Sequence, residues 1–182
     1  MQFDRRAMMG AGAAAAVMPA LMPAARAADP RVTFKVPDGA CDCHHHLYDP
    51  RFAYMPNAQL KPPFATVADY RKLQKKLGTS RNIVVQPSTY GVDNRCLVDA
   101  LHQFGDAARG VCVVNSRVSD GELKALHAAG VRGLRAQFGL GNPVGIDEIM
   151  PLAKRIAKLG WHIQCNMPPA QLVAMEKFLL SL

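Results

Sequence analysis

No stretch of this sequence holds the unbroken apolar run of roughly 18 residues that a membrane-crossing helix needs, which excludes a polytopic membrane protein. Charge is sparse too: charged residues make up 20% against 49% hydrophobic, a balance too apolar for a disordered chain. The 22 basic residues outnumber 14 acidic ones, for a net charge of +8. No five of them run together and no aromatics interleave with them, which sets nucleic acid aside as a partner. Cysteine is scarce and odd in number. Cys41, Cys43, Cys96, Cys112 and Cys165 sit mostly in apolar runs, a pattern that argues against a disulfide framework. Cys41 and Cys43 stand closer together than the about two to four intervening residues usual in thiolate zinc motifs. All five cysteines read as small buried hydrophobes.

What is present begins with an amino terminus in three parts. A basic start holds Arg5-Arg6, an apolar stretch runs from Ala7 to Met22 softened by Gly10, Gly12 and Pro19, and Ala25-Arg26-Ala27 precedes Ala28. This is the pattern of a secretory signal peptide. The paired arginines before a weakly hydrophobic Gly/Ala-rich segment resemble a twin-arginine export signal, although Asp4 stands where that motif usually has Ser or Thr. Pro19 and Pro23 argue against the alternative, an amphipathic helix at a free terminus. The reading is a signal over residues 1–27, periplasmic export, no membrane attachment after cleavage, and one domain over 28–182.

From Ala40 onward, short β-rich runs alternate with helical patterns. The runs are Cys41 to Leu47, Asn82 to Gln86, Gly110 to Asn115, Val131 to Gln137 and Trp161 to Asn166. Each is near-continuously apolar at its start, as in a parallel sheet buried on both faces. Val67 to Leu77, Arg95 to Phe104, Gly121 to Ala129, Ile146 to Leu159 and Ala170 to Leu182 fill the intervals as helices. Asp93, Ser119 or Asp120, and Asp147 are placed to cap three of them, and Gly78, Gly105, Gly130 and Gly160 to close them. Repeated βα units leave two architectures, a doubly wound sheet and a (β/α)8 TIM-type barrel. Polar residues fall at the carboxyl ends of all five strands, as in a barrel that gathers strand ends around one axis. No glycine-rich phosphate fingerprint follows the first strand, which further disfavours a nucleotide-binding sheet. The expected fold is therefore α/β, a (β/α)8 barrel of which the first five βα units are present, since a complete barrel takes about 250 residues.

Asp42-Cys43-His44-His45-His46 closes the first strand. Strand alternation places Asp42, His44 and His46 on one face, with Cys43 and His45 on the other. Two imidazoles so placed can grip one divalent, zinc-like ion, or pack at the strand end against backbone acceptors. Arg135 shares parity with Gln137 and points inward, where its planar fork suits a substrate carboxylate or a neighbouring acid. Arg132 has the opposite parity and faces the helices. Gln86, Ser88 and Gln164 are neutral strand-end groups suited to orienting a ring or carbonyl, or to ordinary strand-end hydrogen bonding. Tyr54, Tyr90 and Asn94 lie on loops of the same face, where ligand contacts concentrate, and Asn94 also stands where a helix cap is wanted.

These residues resemble the amidohydrolase superfamily, whose signature is His-x-His at the end of the first barrel strand, here His44-His45-His46. Residues 86–94, Gly130 to Arg135 and Trp161 to Gln164 are similar to the amidohydrolase-related branch typified by 2-pyrone-4,6-dicarboxylate lactonases, over residues 38 to 182. The resemblance implies a hydrolase acting on a lactone or cyclic ester of a small carboxylated or sugar acid. It implies that His44 and His46 hold a divalent metal, or contact substrate oxygens with no cofactor. It also implies a histidine on a sixth strand and a water-activating aspartate on an eighth, positions that the 182 residues do not reach. The expectations that follow are a chain inactive by itself and association between copies through open barrel edges. The alternative function is a non-catalytic periplasmic binding role or a vestigial barrel fragment.

Overall fold

The chain forms five short strands: β1 Cys41–His45, β2 Arg81–Val85, β3 Ala108–Cys112, β4 Val131–Gln137 and β5 His162–Asn166. Amphipathic segments between them form α1 Val67–Leu77, α2 Arg95–Phe104, α3 Asp120–Ala128 and α4 Ile146–Ala157. The computed structural model describes residues 33–138 and 144–182; the export signal read over residues 1–27 lies outside them.

Local chemistry explains the helix boundaries. Thr66 and Asp69 form a reciprocal capping box at the start of α1, and Ser119 and Glu122 do the same for α3, each box satisfying amide groups that have no partner within the helix. Gly78 closes α1 at φ 76°. The expected helix Ala170 to Leu182 is instead two short ones, α5 Pro169–Ala174 and α6 Glu176–Leu179. They are separated where Met175 leaves helical geometry and buries its side chain.

All five strands pair in parallel, and their spatial order is their chain order. A doubly wound sheet reverses direction at a switch point; this one never does, so each helix carries the chain onward around the same axis. The sheet is also curled. Four strand spacings of about 4.8 Å would hold β1 and β5 roughly 19 Å apart if it were flat. Yet His44 of β1 and Gln164 of β5 touch at 3.3 Å. The described chain is thus five consecutive units of a (β/α)8-type barrel, with the helices outside and a concave face within.

The core sits between sheet and helices, where Val84, Cys112, Leu134 and Ala136 pack against Leu97, Leu101, Leu123, Ile149, Leu152 and Ile156. α2 lies close on β3 because Gly110 has no side chain: a Cβ there would stand 2.8 Å from Leu101 Cδ1. Two expectations are corrected. Cys43 is exposed while Cys96 and Cys112 are buried, so the cysteines do not share one role. Asp42 does not share a face with His44 and His46. β1 spends three residues, Asp42 to His45, where β2 spends two, Asn82 to Val84. That bulge reverses the alternation, leaving Asp42 and His45 toward α1 and the other two histidines toward the concave face.

Candidate active site

The bulge is held from behind. Tyr70 of α1 donates its hydroxyl to Asp42 Oδ2 at 2.9 Å, and Asp42 Oδ1 accepts the main-chain N–H of His44 at 3.2 Å. His45 stacks on the Tyr70 ring at 3.6 Å between centroids and reaches Asn82 at 3.0 Å. Asp42 is therefore occupied on both oxygens as a fastener of the strand, and His45 belongs to the helix-facing layer.

On the concave face, His44 and His46 meet edge to face, with ring centroids 5.1 Å apart. His46 Nδ1 lies 2.8 Å from the Val85 carbonyl oxygen. A carbonyl only accepts, so Nδ1 carries the proton and Nε2 presents its lone pair. Nη1 of Arg135 stands 3.3 Å from that Nε2 and also donates to the Gln86 carbonyl at 3.2 Å. Arg135 is only 7% exposed, and its Nε is buried with no hydrogen-bond partner among the described residues. The carboxamide nitrogen of Gln164 faces His44 Nδ1 at 3.3 Å. It only donates, which places the His44 proton on Nε2.

The electrostatics agree with this proton arrangement. Burial, and then the Arg135 charge, hold His44 below the usual histidine range. Burial does the same for His46, with Arg135 adding to it and the Val85 hydrogen bond opposing. Both rings are neutral beside a guanidinium that remains charged. A cation facing neutral imidazoles offers the charge and the donors that an anionic group would need.

The remaining expected residues divide. Ser88 lies at the rim, on a cavity of about 510 Å³ whose walls include Met55, Asn57, Gln59, Leu60 and Gln137. Gln86 is buried and spends its amide on the carbonyls of Gly91 and Asp93, at 3.3 and 2.7 Å. Tyr90 is buried, its hydroxyl accepting the Asp49 N–H at 3.0 Å. Tyr54 donates to the Pro62 carbonyl at 2.8 Å. Asn94 clasps both main-chain groups of Val113, at 2.8 and 3.1 Å. These four hold the loops of the rim in place. Arg132 faces the helix layer as expected, donating to the His127 carbonyl of α3 at 2.8 Å. Tyr48 is a further residue of this face: its ring is 6.4 Å from His46, and it continues the parity of positions 44 and 46, a signal readable in the sequence.

A family model described as amidohydrolase matches residues 41–182. The chain belongs to the amidohydrolase family. It is 42% identical over 153 residues to 2-pyrone-4,6-dicarboxylate hydrolase of Comamonas testosteroni, covering 82% of this chain and 50% of that protein. It is 32% identical over 126 residues to 4-sulfomuconolactone hydrolase of Rhizobium radiobacter, covering 68% of this chain and 42% of the relative. A ligand-free crystal structure from Agrobacterium tumefaciens superposes with a TM-score of 0.71 at 26% identity, over 76% of this chain and 52% of the other. The chain thus spans about half the length of the curated relatives it matches. The family match runs through β1 to β5 and so includes every residue of the concave cluster.

Proposed function

We propose that this chain carries the substrate-holding face of a hydrolase for a lactone or cyclic ester of a small carboxylated or sugar acid. The observation that carries the reading is the contact of the buried, charged Arg135 with the neutral His46 ring, beside His44. Arg135 takes the substrate carboxylate through its guanidinium fork. His44, with its proton on Nε2, donates to the lactone carbonyl oxygen and stabilises the oxyanion that forms when water attacks. Donors already aimed at such an oxygen lower the barrier because they need not reorganise during the reaction. Asp42 supplies no base, since Tyr70 and the His44 N–H occupy its oxygens. The names of the relatives, hydrolases of a pyrone dicarboxylate and of a muconolactone, support a lactone as the substrate.

A divalent metal does not fit the two histidines. His46 Nδ1 is protonated toward Val85, and its Nε2 lone pair faces a guanidinium, so neither nitrogen is open to a second cation. Among the described residues, no three His, Cys, Asp or Glu side chains gather in ligand geometry. The reading therefore routes no step through a metal. It also retains export to the periplasm, supported by Arg5-Arg6 and Ala25-Arg26-Ala27.

The test uses a carboxylated lactone with ¹³C at the ring carbonyl, added to the full chain. The expected result is a downfield carbonyl shift on binding that is lost in His44→Ala and untouched by chelator. An unshifted carbonyl in the bound ligand, or binding that chelator abolishes, contradicts the reading.

A further inference from the structure

A second cavity, of about 730 Å³, lies on the helix side of the sheet, between α2 and α3. The concave cluster is on the opposite side. α2 turns Cys96, Leu97, Ala100 and Leu101 into the core, and Val98 falls off that stripe and lines the cavity instead. Val118, Ala125 and Leu126 face it from α3 and the turn before it. The buried Val114, just past β3, and the exposed Val92 complete this apolar lining. Apolar surface left open between two helices is taken from water when a ligand covers it, and the volume suits one small molecule.

The charges around the groove select the sign of that ligand. Three acids line it, and each is already engaged. Asp93 pairs with Arg95 at 2.6 Å and Asp99 with Arg51 at 2.6 Å. Glu122 accepts the main-chain N–H and the hydroxyl of Ser119, at 2.7 and 2.8 Å, in the capping box of α3. Arg117 is different. Its main-chain N–H goes to Asn115 Oδ1 at 3.1 Å. Its guanidinium feels the charge of Glu148 yet makes no hydrogen bond or ion pair among the described residues. The uncommitted charge on an otherwise apolar groove is therefore one cation.

We propose that the groove between α2 and α3 is a second binding site, for a small amphipathic anion whose apolar body lies between the helices and whose carboxylate meets Arg117. Because the sheet separates it from Arg135, the two sites fill independently. Arg117 is exposed, so its charge adds selectivity for the anion while the apolar walls supply most of the affinity.

The experiment measures equilibrium dialysis of 2-naphthoate and of its uncharged methyl ester against the full chain, Arg117→Gln, Ala125→Trp and Arg135→Ala. The expected result is a preference of about fivefold for the acid, lost in Arg117→Gln with ester binding kept. Ala125→Trp, whose indole fills the groove from an exposed position of α3, abolishes binding of both at an unchanged thermal midpoint, and Arg135→Ala changes neither. Binding that survives Ala125→Trp and is lost in Arg135→Ala places the probe in the concave cluster and overturns the second site. A preference for the acid that survives Arg117→Gln, or no binding to the full chain, overturns it as well. Affinity that falls as protein concentration rises gives the groove to a second copy of the chain, and that too contradicts the proposal.

Discussion

Nη1 of Arg135 on β4 lies 3.3 Å from Nε2 of His46 at the end of β1, two strands that do not pair with each other. The contact exists only because the sheet curls, and it adds to burial in keeping both imidazoles neutral. An imidazolium at His46 would put two cations against each other in a buried place, so the ring stays neutral and its lone pair meets the guanidinium.

That arrangement sets a pH dependence. Burial, and then Arg135, depress His44, and for His46 Arg135 adds to burial against the Val85 bond. The unfolded chain therefore binds protons at a higher pH than the folded one. The stability linked to these rings is fully present above the unfolded value of about 6.5 and is lost as pH falls below it toward their lowered folded values. Chemical denaturation at pH 7.5, 6.5 and 5.5 should show the decline, and Arg135→Ala should flatten it. Equal slopes in the two proteins would disconnect Arg135 from the histidines.

The fastening of β1 is testable from behind. Tyr70→Phe leaves an Asp42 oxygen without its hydroxyl donor and should cost about 1–2 kcal/mol in denaturant unfolding. Asp42→Ala, which also frees the His44 N–H, should cost more. If Asp42→Ala is neutral in stability, the bulge is held by something other than this carboxylate.

Much of this site is legible in the sequence, and the exceptions have physical reasons. Parity alone places Arg135, Gln137 and Gln164 inward and Arg132 outward, because β4 and β5 run in regular register. Parity fails for Asp42 because one extra residue in β1 reverses the faces, and the match of β1 to β2 that creates the bulge is a tertiary fact. Tyr54, Gln86, Tyr90 and Asn94 have side chains suited to a ligand, and their loops use them instead to satisfy main-chain groups. The long segment after β1 has no periodicity, so the rim cavity it walls has no signature in the sequence.

Close approach of α2 to β3 predicts the cost of adding one methyl group. Gly110→Ala puts a Cβ 2.8 Å from Leu101 Cδ1 and 3.3 Å from Leu97 Cδ1, both on buried side chains. Overpacking of this kind costs about 1–3 kcal/mol, which thermal unfolding will read as a lower midpoint. An unchanged midpoint would mean that α2 shifts freely.

β1 and β5 stand at the two ends of the strand order, each paired on one side only among the described strands. Unpaired strand edges recruit other strands, so the chain purified alone should run as an oligomer on size exclusion with light scattering. A monodisperse monomer across concentrations would show that the edges are protected. If the export reading holds, intact-mass analysis of the same protein from periplasm should place its first residue at Ala28, and an intact Met1 form there would contradict it.

The central claim is that Arg135 anchors a substrate carboxylate beside two neutral histidines. Its most direct test is calorimetric titration of a monocarboxylated lactone, and of that lactone's uncharged methyl ester, into the chain and into Arg135→Ala. The account predicts that the substitution abolishes the preference for the acid over its ester, a loss of about tenfold or more, with weak ester binding unchanged. A preference for the acid that survives Arg135→Ala would contradict it.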